Sequence, residues 1–516
     1  MAAASDLGAS TVVTLDGRSL RIGDLVRVAE ARTPVALAAV ARQRMQVTRD
    51  VVMRAVAAGT PVYGINTGFG KMAEVTIPPD QLEPLQRNLV RSHAAGVGAP
   101  LPEAEVRAMM LLRANVLASA YAGVRPLLVE RLLELLNAGV WPVVPEQGSV
   151  GASGDLAPLA HLALLLIGEG EARSAGREGP SGELLAAAGM APLRLEAKEG
   201  LALINGTQAH TAVAALACAM LRRLWGVAHV AAGMSLEALL GTPDAFDARI
   251  QEARGQEGQR TSAALLRRVL GGSALRESHR HGDPRVQDAY ALRCVPQVHG
   301  PVLDALAFAE GIISRELNAA TDNPLVLDSG ELLSGGNFHG QAVGMAADVL
   351  AIAAANLAVM SERRIDRLVH PDLNQGLPAF LAASPGLESG HMMSQVTAAA
   401  LASECKTLAH PASVDSIPTD GSKEDVVPMA MHAAVKLRRT VANVRQVLAI
   451  ELLTGAEALE YRRPLRSSAA VEQVHALVRE VVPRKAGDHP PSPQIRALAD
   501  ALAAGHFDPV LETLSA

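Results

Sequence analysis

The sequence predicts an all-α protein, an elongated bundle of long helices with a loop-rich N-terminal region. Three observations predict it. Hydrophobic residues make up 49% of the chain but aromatic ones only 2%, so the core must be built from Ala, Leu and Val, which suits close-packed helices better than sheets. Beyond residue 206, apolar residues follow helical patterns over 207–225, 297–318, 341–368, 389–410 and 425–461, each long enough to run about 30 Å or more at the helical rise. Glycine-rich punctuation, in contrast, gathers in the first two hundred residues.

In order along the chain, the reading gives an N-terminal region 1–206, a central long-helix bundle 207–480 and a C-terminal helical tail 481–516. Within the first, 102–137 is a long apolar-periodic stretch, 63–70 and 148–155 are loops, and 168–182 is a polar surface hairpin or loop. Residues 276–284 form a charged connection. The Ala-rich helices are apolar on most faces, which for an elongated bundle means burial against other subunits, so a homo-oligomer is expected.

The net charge of −6 supplies no broad basic field, which argues against nucleic acid and for a small molecule as partner. Cys218, Cys294 and Cys405 are odd in number, far apart and without a CxxC pair, so neither a disulfide framework nor a zinc knuckle is indicated and the chain reads as cytoplasmic. Met1–Gly17 carries Asp6 and Asp16 and has no basic segment followed by an apolar run, so no secretory signal is expected. The nearest approach to a membrane span, 343–360, contains Asp348 and Asn356 and reads as a buried helix of a soluble protein. His279-Arg280-His281 is the only close His pair and no HExxH occurs, so no metal is invoked.

The chemistry concentrates in Gly151-Ala152-Ser153-Gly154-Asp155. A serine hydrolase elbow would need Gly two residues after the serine, where Asp155 stands. A phosphate loop would need Gly-Lys-Ser/Thr to close the 148–154 run, and none does. The small residues of Ala152-Ser153-Gly154 instead permit the backbone to condense on itself, with the Gly154 nitrogen attacking the Ala152 carbonyl. Loss of the Ser153 hydroxyl as water then leaves a conjugated double bond, a methylidene-imidazolone, which is an electrophile that no ordinary side chain provides.

The run from Gly148 to His161 resembles the signature of the aromatic amino acid ammonia-lyases, Gly-x-x-Gly-Ala/Cys-Ser-Gly-Asp-Leu-x-Pro-Leu-x-His, throughout. The resemblance covers nearly the whole chain, from Tyr63 through Glu424 and beyond, on six or more motifs in the family's order. It implies a homotetramer with each active site built from three subunits, and a 4-methylidene-imidazol-5-one formed from Ala152, Ser153 and Gly154, with no metal or nucleotide.

Carried over residue by residue, the resemblance assigns further roles. Tyr63, in Tyr63-Gly-Ile-Asn-Thr-Gly-Phe-Gly70, is a candidate for the base that removes the β-proton, ahead of Glu424 as the alternative; with an unperturbed pKa near ~10 it would need nearby positive charge or donors. His93 belongs to the Ser92-His93 pair that reads the substrate ring and points to a polar ring, histidine or tyrosine. Asn205 would lie near the electrophile and the substrate carboxylate. Gln287, Tyr290 and Arg293 stand three apart, on one face if helical. Arg293 is the carboxylate clamp, a role a planar guanidinium fills in bidentate fashion. Tyr290 is placed beside the electrophile, and Phe338, in Gly335-Gly-Asn-Phe-His-Gly340, against the substrate ring. Glu424, where phenylalanine and tyrosine lyases carry an amide, favours histidine, because a carboxylate accepts an imidazole N–H. Val426-Val427-Pro428-Met429 departs from the His-Val-Ser-Met usual in histidine lyases, and Val426 resembles the tyrosine and phenylalanine branch. The implied reaction is elimination of ammonia from L-histidine to trans-urocanate; a tyrosine or phenylalanine lyase, an aminomutase and an inactive helical scaffold are the alternatives.

Overall fold

The computed structural model describes residues 12–59 and 61–515. Residues 1–11, most of the stretch read for a secretory signal, lie outside them. Among the described residues there are twenty α-helices, and no strand exceeds four residues. The long helices are Gln208–Ala238, Val295–Glu316, Gln341–Val369, Met392–Leu408 and Ala430–Glu460, so the all-helical expectation holds.

Two boundaries differ from the sequence reading for physical reasons. The first long helix does not stop at 225 but continues through Gly226 and Gly233. Gly233 is there for space, not as a breaker: a Cβ on it would meet Val269 Cγ1 at 2.5 Å. The last long helix starts at Ala430 and not 425, because Pro428 disfavours helical geometry at Val427 and Met429 has φ of 49°. The 102–137 stretch is two helices, Glu103–Ala118 and Pro126–Ala138, separated by a turn in which Gly123 takes φ of 66°. The 168–182 segment contains an antiparallel hairpin, Glu171–Ser174 with Arg177–Pro180, to which Val140–Pro142 adds a third strand.

The chain forms two compact units, each assembled from separated segments, whereas the division read from the sequence follows chain order. The first comprises Met1–Ala219, Ala309–Asp348 and Pro411–Val435; the second comprises Met220–Phe308, Val349–His410 and Lys436–Ala516. In the first, Glu103–Ala118 is buried on nearly all faces and packs on Pro126–Ala138 and Ile22–Ala29. The short strand Val97–Pro100 pairs with Pro145–Gln147, which fastens the segment after His93 to the segment before Gly148. In the second, Arg364 and Glu451 form a fully buried bidentate pair at 2.6 and 2.9 Å, and the Ser235 and Ser361 hydroxyls donate to the same carboxylate.

Two helices, Gln208–Ala238 and Gln341–Val369, are long and apolar enough to cross a membrane, and 72% of the most apolar window of each is buried inside the fold. The charge within 343–360 is satisfied: Asp348 accepts from the Ala412 and Ser413 amides at 2.8 and 2.7 Å.

Candidate active site

The 148–155 loop is held in a conformation that only small residues can adopt. Gly151 and Gly154 have φ of 77° and 69°. A Cβ on Gly154 would lie 2.0 Å from the Gly206 carbonyl oxygen, so the Asn205-Gly206 turn presses directly on the loop. Hydrogen bonds fix the approach. Asp155 N donates to Gly206 O at 2.8 Å, and the Ser153 carbonyl oxygen accepts from Asn205 Nδ2 at 2.8 Å and Gly206 N at 3.3 Å. From another side, Gly340 N donates to Gly151 O at 2.9 Å.

Asp155 precedes the buried apolar helix Leu156–Leu166 but does not cap it with its side chain. Its carboxylate instead accepts from the His210 backbone amide at 2.8 Å and pairs with His210 Nδ1 at 2.9 Å, while Ser149 Oγ donates to it at 2.7 Å. Burial alone would raise the Asp155 carboxyl, but the His210 charge and these hydrogen bonds hold it below its usual range. Burial likewise pushes His210 down, and the Asp155 charge and hydrogen bond outweigh it, leaving the imidazole above its ordinary value. Below the turn, the buried Arg113 donates to the Ala202 and Asn205 carbonyls at 2.9 and 3.0 Å and to the Gln208 side chain.

The Ser153 hydroxyl donates to Glu424 Oε1. Thr419 Oγ1 donates to the other carboxylate oxygen at 2.5 Å, and Thr419 N donates to Glu424 O at 2.9 Å, so the carboxylate is held from two sides. The charge run at 423–425 is therefore not a solvated helix start; it sits in a tight loop that delivers Glu424 to Ser153.

Tyr63 is half-buried, with Phe69 edge-on at 6.4 Å. Burial raises its phenol; a contact with the Gly70 backbone lowers it, and the charges of Asp420, Glu424 and Asp322 raise it further. Its neighbours within this unit are thus of the wrong sign for a resting phenolate. His93 Nδ1 lies 2.8 Å from Leu89 O, which puts a proton on Nδ1 and leaves Nε2 as the other ring atom for a ligand. Phe338 is half-buried, in a segment tied to the loop by Gly340 and to Val426 O by His339 Nε2 at 3.1 Å.

The first unit therefore brings Ser153, Asn205 and Glu424 into direct hydrogen bonding, with Tyr63 in electrostatic reach of Glu424. Gln287, Tyr290 and Arg293 belong to the second unit. The single helical face expected through all three is not formed, because the helix there is only Tyr290–Arg293 and Gln287 precedes it in an exposed segment. Tyr290 is 69% exposed, and the Arg293 guanidinium lies over its ring, 4.8 Å from the centroid.

Thr419, His210 and Arg113 were not foreseen. Thr419 carried no motif. For His210 and Arg113 there was a faint signal, charged or polar residues at positions where apolar helices should be uninterrupted. Among the described residues no group of three or more His, Cys, Asp or Glu is arranged to hold a metal ion.

Comparison with known proteins places this geometry. The aromatic amino acid lyase family model matches residues 20–480. A histidine ammonia-lyase of Anaeromyxobacter sp. (strain K) is 54% identical, covering 96% of this chain and 99% of the relative. Another from Geobacillus thermodenitrificans is 52% identical over 94% and 96%. Among solved structures, histidine ammonia-lyase from Trypanosoma cruzi aligns with a TM-score of 0.91 at 42% identity, covering 98% of this chain and 95% of that one. Tyrosine aminomutase from Streptomyces globisporus aligns at 0.92 and 37% identity, over 97% and 98%. With its signature loop clamped between Asn205-Gly206 and Glu424, and with relatives matched end to end, the chain belongs to the aromatic amino acid lyase family.

Proposed function

We propose that this chain eliminates ammonia from L-histidine to give trans-urocanate, using a methylidene-imidazolone formed from Ala152, Ser153 and Gly154. The observation that carries the reading is the Glu424 carboxylate seated on the Ser153 hydroxyl, where an acceptor for an imidazole N–H stands beside the reacting position. Relatives more than 50% identical carry the name histidine ammonia-lyase, against 37% for the tyrosine aminomutase.

The residues fit the group. Gly154 has no room for a side chain, the loop turns through two left-handed glycines, and the Ser153 carbonyl has two donors. Once formed, the group supplies an electrophile that captures the substrate amine and makes it a better leaving group. Asn205 Nδ2 and Gly206 N draw electron density toward the Ser153 oxygen, which strengthens that electrophilic character. Glu424 accepts one imidazole N–H, and His93, through Nε2, is assigned to reading the ring. Arg293 is assigned to the substrate carboxylate, Tyr290 to the electrophile, Phe338 to the substrate ring, and Gln287 to a further substrate contact.

Tyr63 takes the β-proton. Since Asp420 and Glu424 oppose a phenolate, the positive charge that favours it is assigned to the substrate ammonium. We further propose a cytoplasmic homotetramer with shared sites. The exposed Tyr290, and the exposed Met345, Ile352 and Val359 along one long helix, support that reading by offering faces for other subunits.

Following the ultraviolet rise of the conjugated product with histidine, tyrosine and phenylalanine in parallel tests the proposal. Histidine is expected to dominate; a β-amino acid product would move the chain to the aminomutases, and no turnover of any would leave an inactive scaffold. Glu424→Asp, which draws the acceptor back by one methylene and is assayed once both waters are lost, should lose activity on histidine far more than on tyrosine, and equal losses would remove the imidazole-reading role.

A further inference from the structure

Glu424 is hydrogen-bonded to the very hydroxyl that must leave during maturation. Resting on the methylidene-imidazolone reading, we propose that Glu424 is also the acid–base group that expels the Ser153 hydroxyl, and that Asn205 and Gly206 hold the charge that develops as it does so.

The chemistry has two water losses. Ring closure joins the Gly154 nitrogen to the Ala152 carbonyl carbon and expels that carbonyl's oxygen with the amide protons of Ser153 and Gly154. The second loss breaks the Ser153 Cα–H bond, places its electron pair in a Cα–Cβ double bond, and breaks Cβ–Oγ. Hydroxide is a poor leaving group, so Oγ must receive a proton as it departs.

Glu424 Oε1 already accepts from Oγ, which is two bonds from the Cα whose proton must leave. It takes the Cα proton and returns it to Oγ, beginning and ending as a carboxylate. Removing a proton from Cα sends negative charge onto the adjacent Ser153 carbonyl oxygen. That oxygen is the one held by Asn205 Nδ2 at 2.8 Å and Gly206 N at 3.3 Å, an oxyanion-type pair aimed where the charge appears. Thr419 Oγ1, at 2.5 Å from Oε2, keeps the carboxylate from turning away. One carboxylate therefore serves first the protein's own hydroxyl and later the substrate ring.

Intact mass followed over time after synthesis tests this in full-length wild type, Glu424→Gln and Glu424→Asp. Wild type should lose two waters, about 36 Da. Glu424→Gln, which keeps the shape but cannot carry the proton, should stop after one, about 18 Da. Glu424→Asp should complete both, more slowly, which separates a proton-transfer role from a folding defect. Full loss in Glu424→Gln at the wild-type rate would overturn the inference. No loss at all in Glu424→Gln would put Glu424 before ring closure and overturn its assignment to the second water. Unchanged mass in wild type would instead sink the electrophile reading itself.

Discussion

Buried histidines in the two units, His210 in the first and His229 and His391 in the second, are shifted in opposite directions. In the first, His210 is fully buried beside Asp155, whose charge and hydrogen bond outweigh desolvation and raise the imidazole above its ordinary value. In the second, His229 and His391 are buried with too little opposing charge, and desolvation pushes each down to about 4. His229 lies edge-on to His299 at 4.8 Å, and its Nε2 contacts Ser262 Oγ at 2.7 Å. The difference separates two uses of burial. Beside the loop, an imidazole–carboxylate pair pins the backbone through the His210 amide; in the second unit, rings shifted toward the neutral form pack among helices.

The largest test of that contrast is at the loop. Gly154→Ala places a methyl on the Gly206 carbonyl and demands a left-handed alanine, so the loop cannot keep the bent geometry. Activity should fall by roughly a thousandfold or more, corresponding to about 4 kcal/mol of lost transition-state stabilisation, with secondary structure retained by circular dichroism. A near-normal rate would mean that the Asn205-Gly206 clamp is dispensable.

Next in size is the helical unit. Arg364→Met leaves the buried Glu451 carboxyl with only serine donors and should destabilise the protein by about 3–5 kcal/mol in denaturant unfolding. A change within error would show that the pair is not needed for packing.

The smallest effect carries the sharpest sign. A histidine raised by its partner stabilises below its unfolded value of 6.5, and that contribution fades as pH rises through the folded value. Asp155, held low, contributes above its unfolded value of 3.8 and loses that contribution on acidification. His229 and His391 behave the other way from His210. The unfolded chain protonates them first, so stability falls as pH drops from 6.5 toward about 4. Measured by denaturant midpoint, the deficit of His210→Asn relative to wild type should be greater at about pH 5.5 than at about pH 8. The deficit of His229→Gln should be smaller at the lower pH; parallel slopes would erase the distinction between the units.

The helical class was readable because scarce aromatics and Ala-rich periodic stretches leave few other ways to build a core, and five long helices lie close to where periodicity put them. The 168–182 hairpin was readable from its turn residues. The ends were harder: Gly233 looks like a breaker in sequence, and only packing against Val269 shows why it is tolerated inside a helix. At the site, local motifs identified Ser153, Asn205 and Glu424, but not their hydrogen bonds, which join residues 52 and 271 positions apart. Thr419 and His210 escaped for the same reason: each matters through a partner, and no local pattern records a partner. The expected helical face through Gln287 failed because three-residue spacing cannot by itself tell a helix from an irregular exposed segment.

The central claim is that Ala152, Ser153 and Gly154 become an electrophile. Proteolysis of the purified wild-type chain and mass measurement of the peptide spanning these residues test it most directly. The peptide should be lighter than its sequence by two waters, about 36 Da, with the whole deficit localised to 152–154. A peptide of full sequence mass would contradict it.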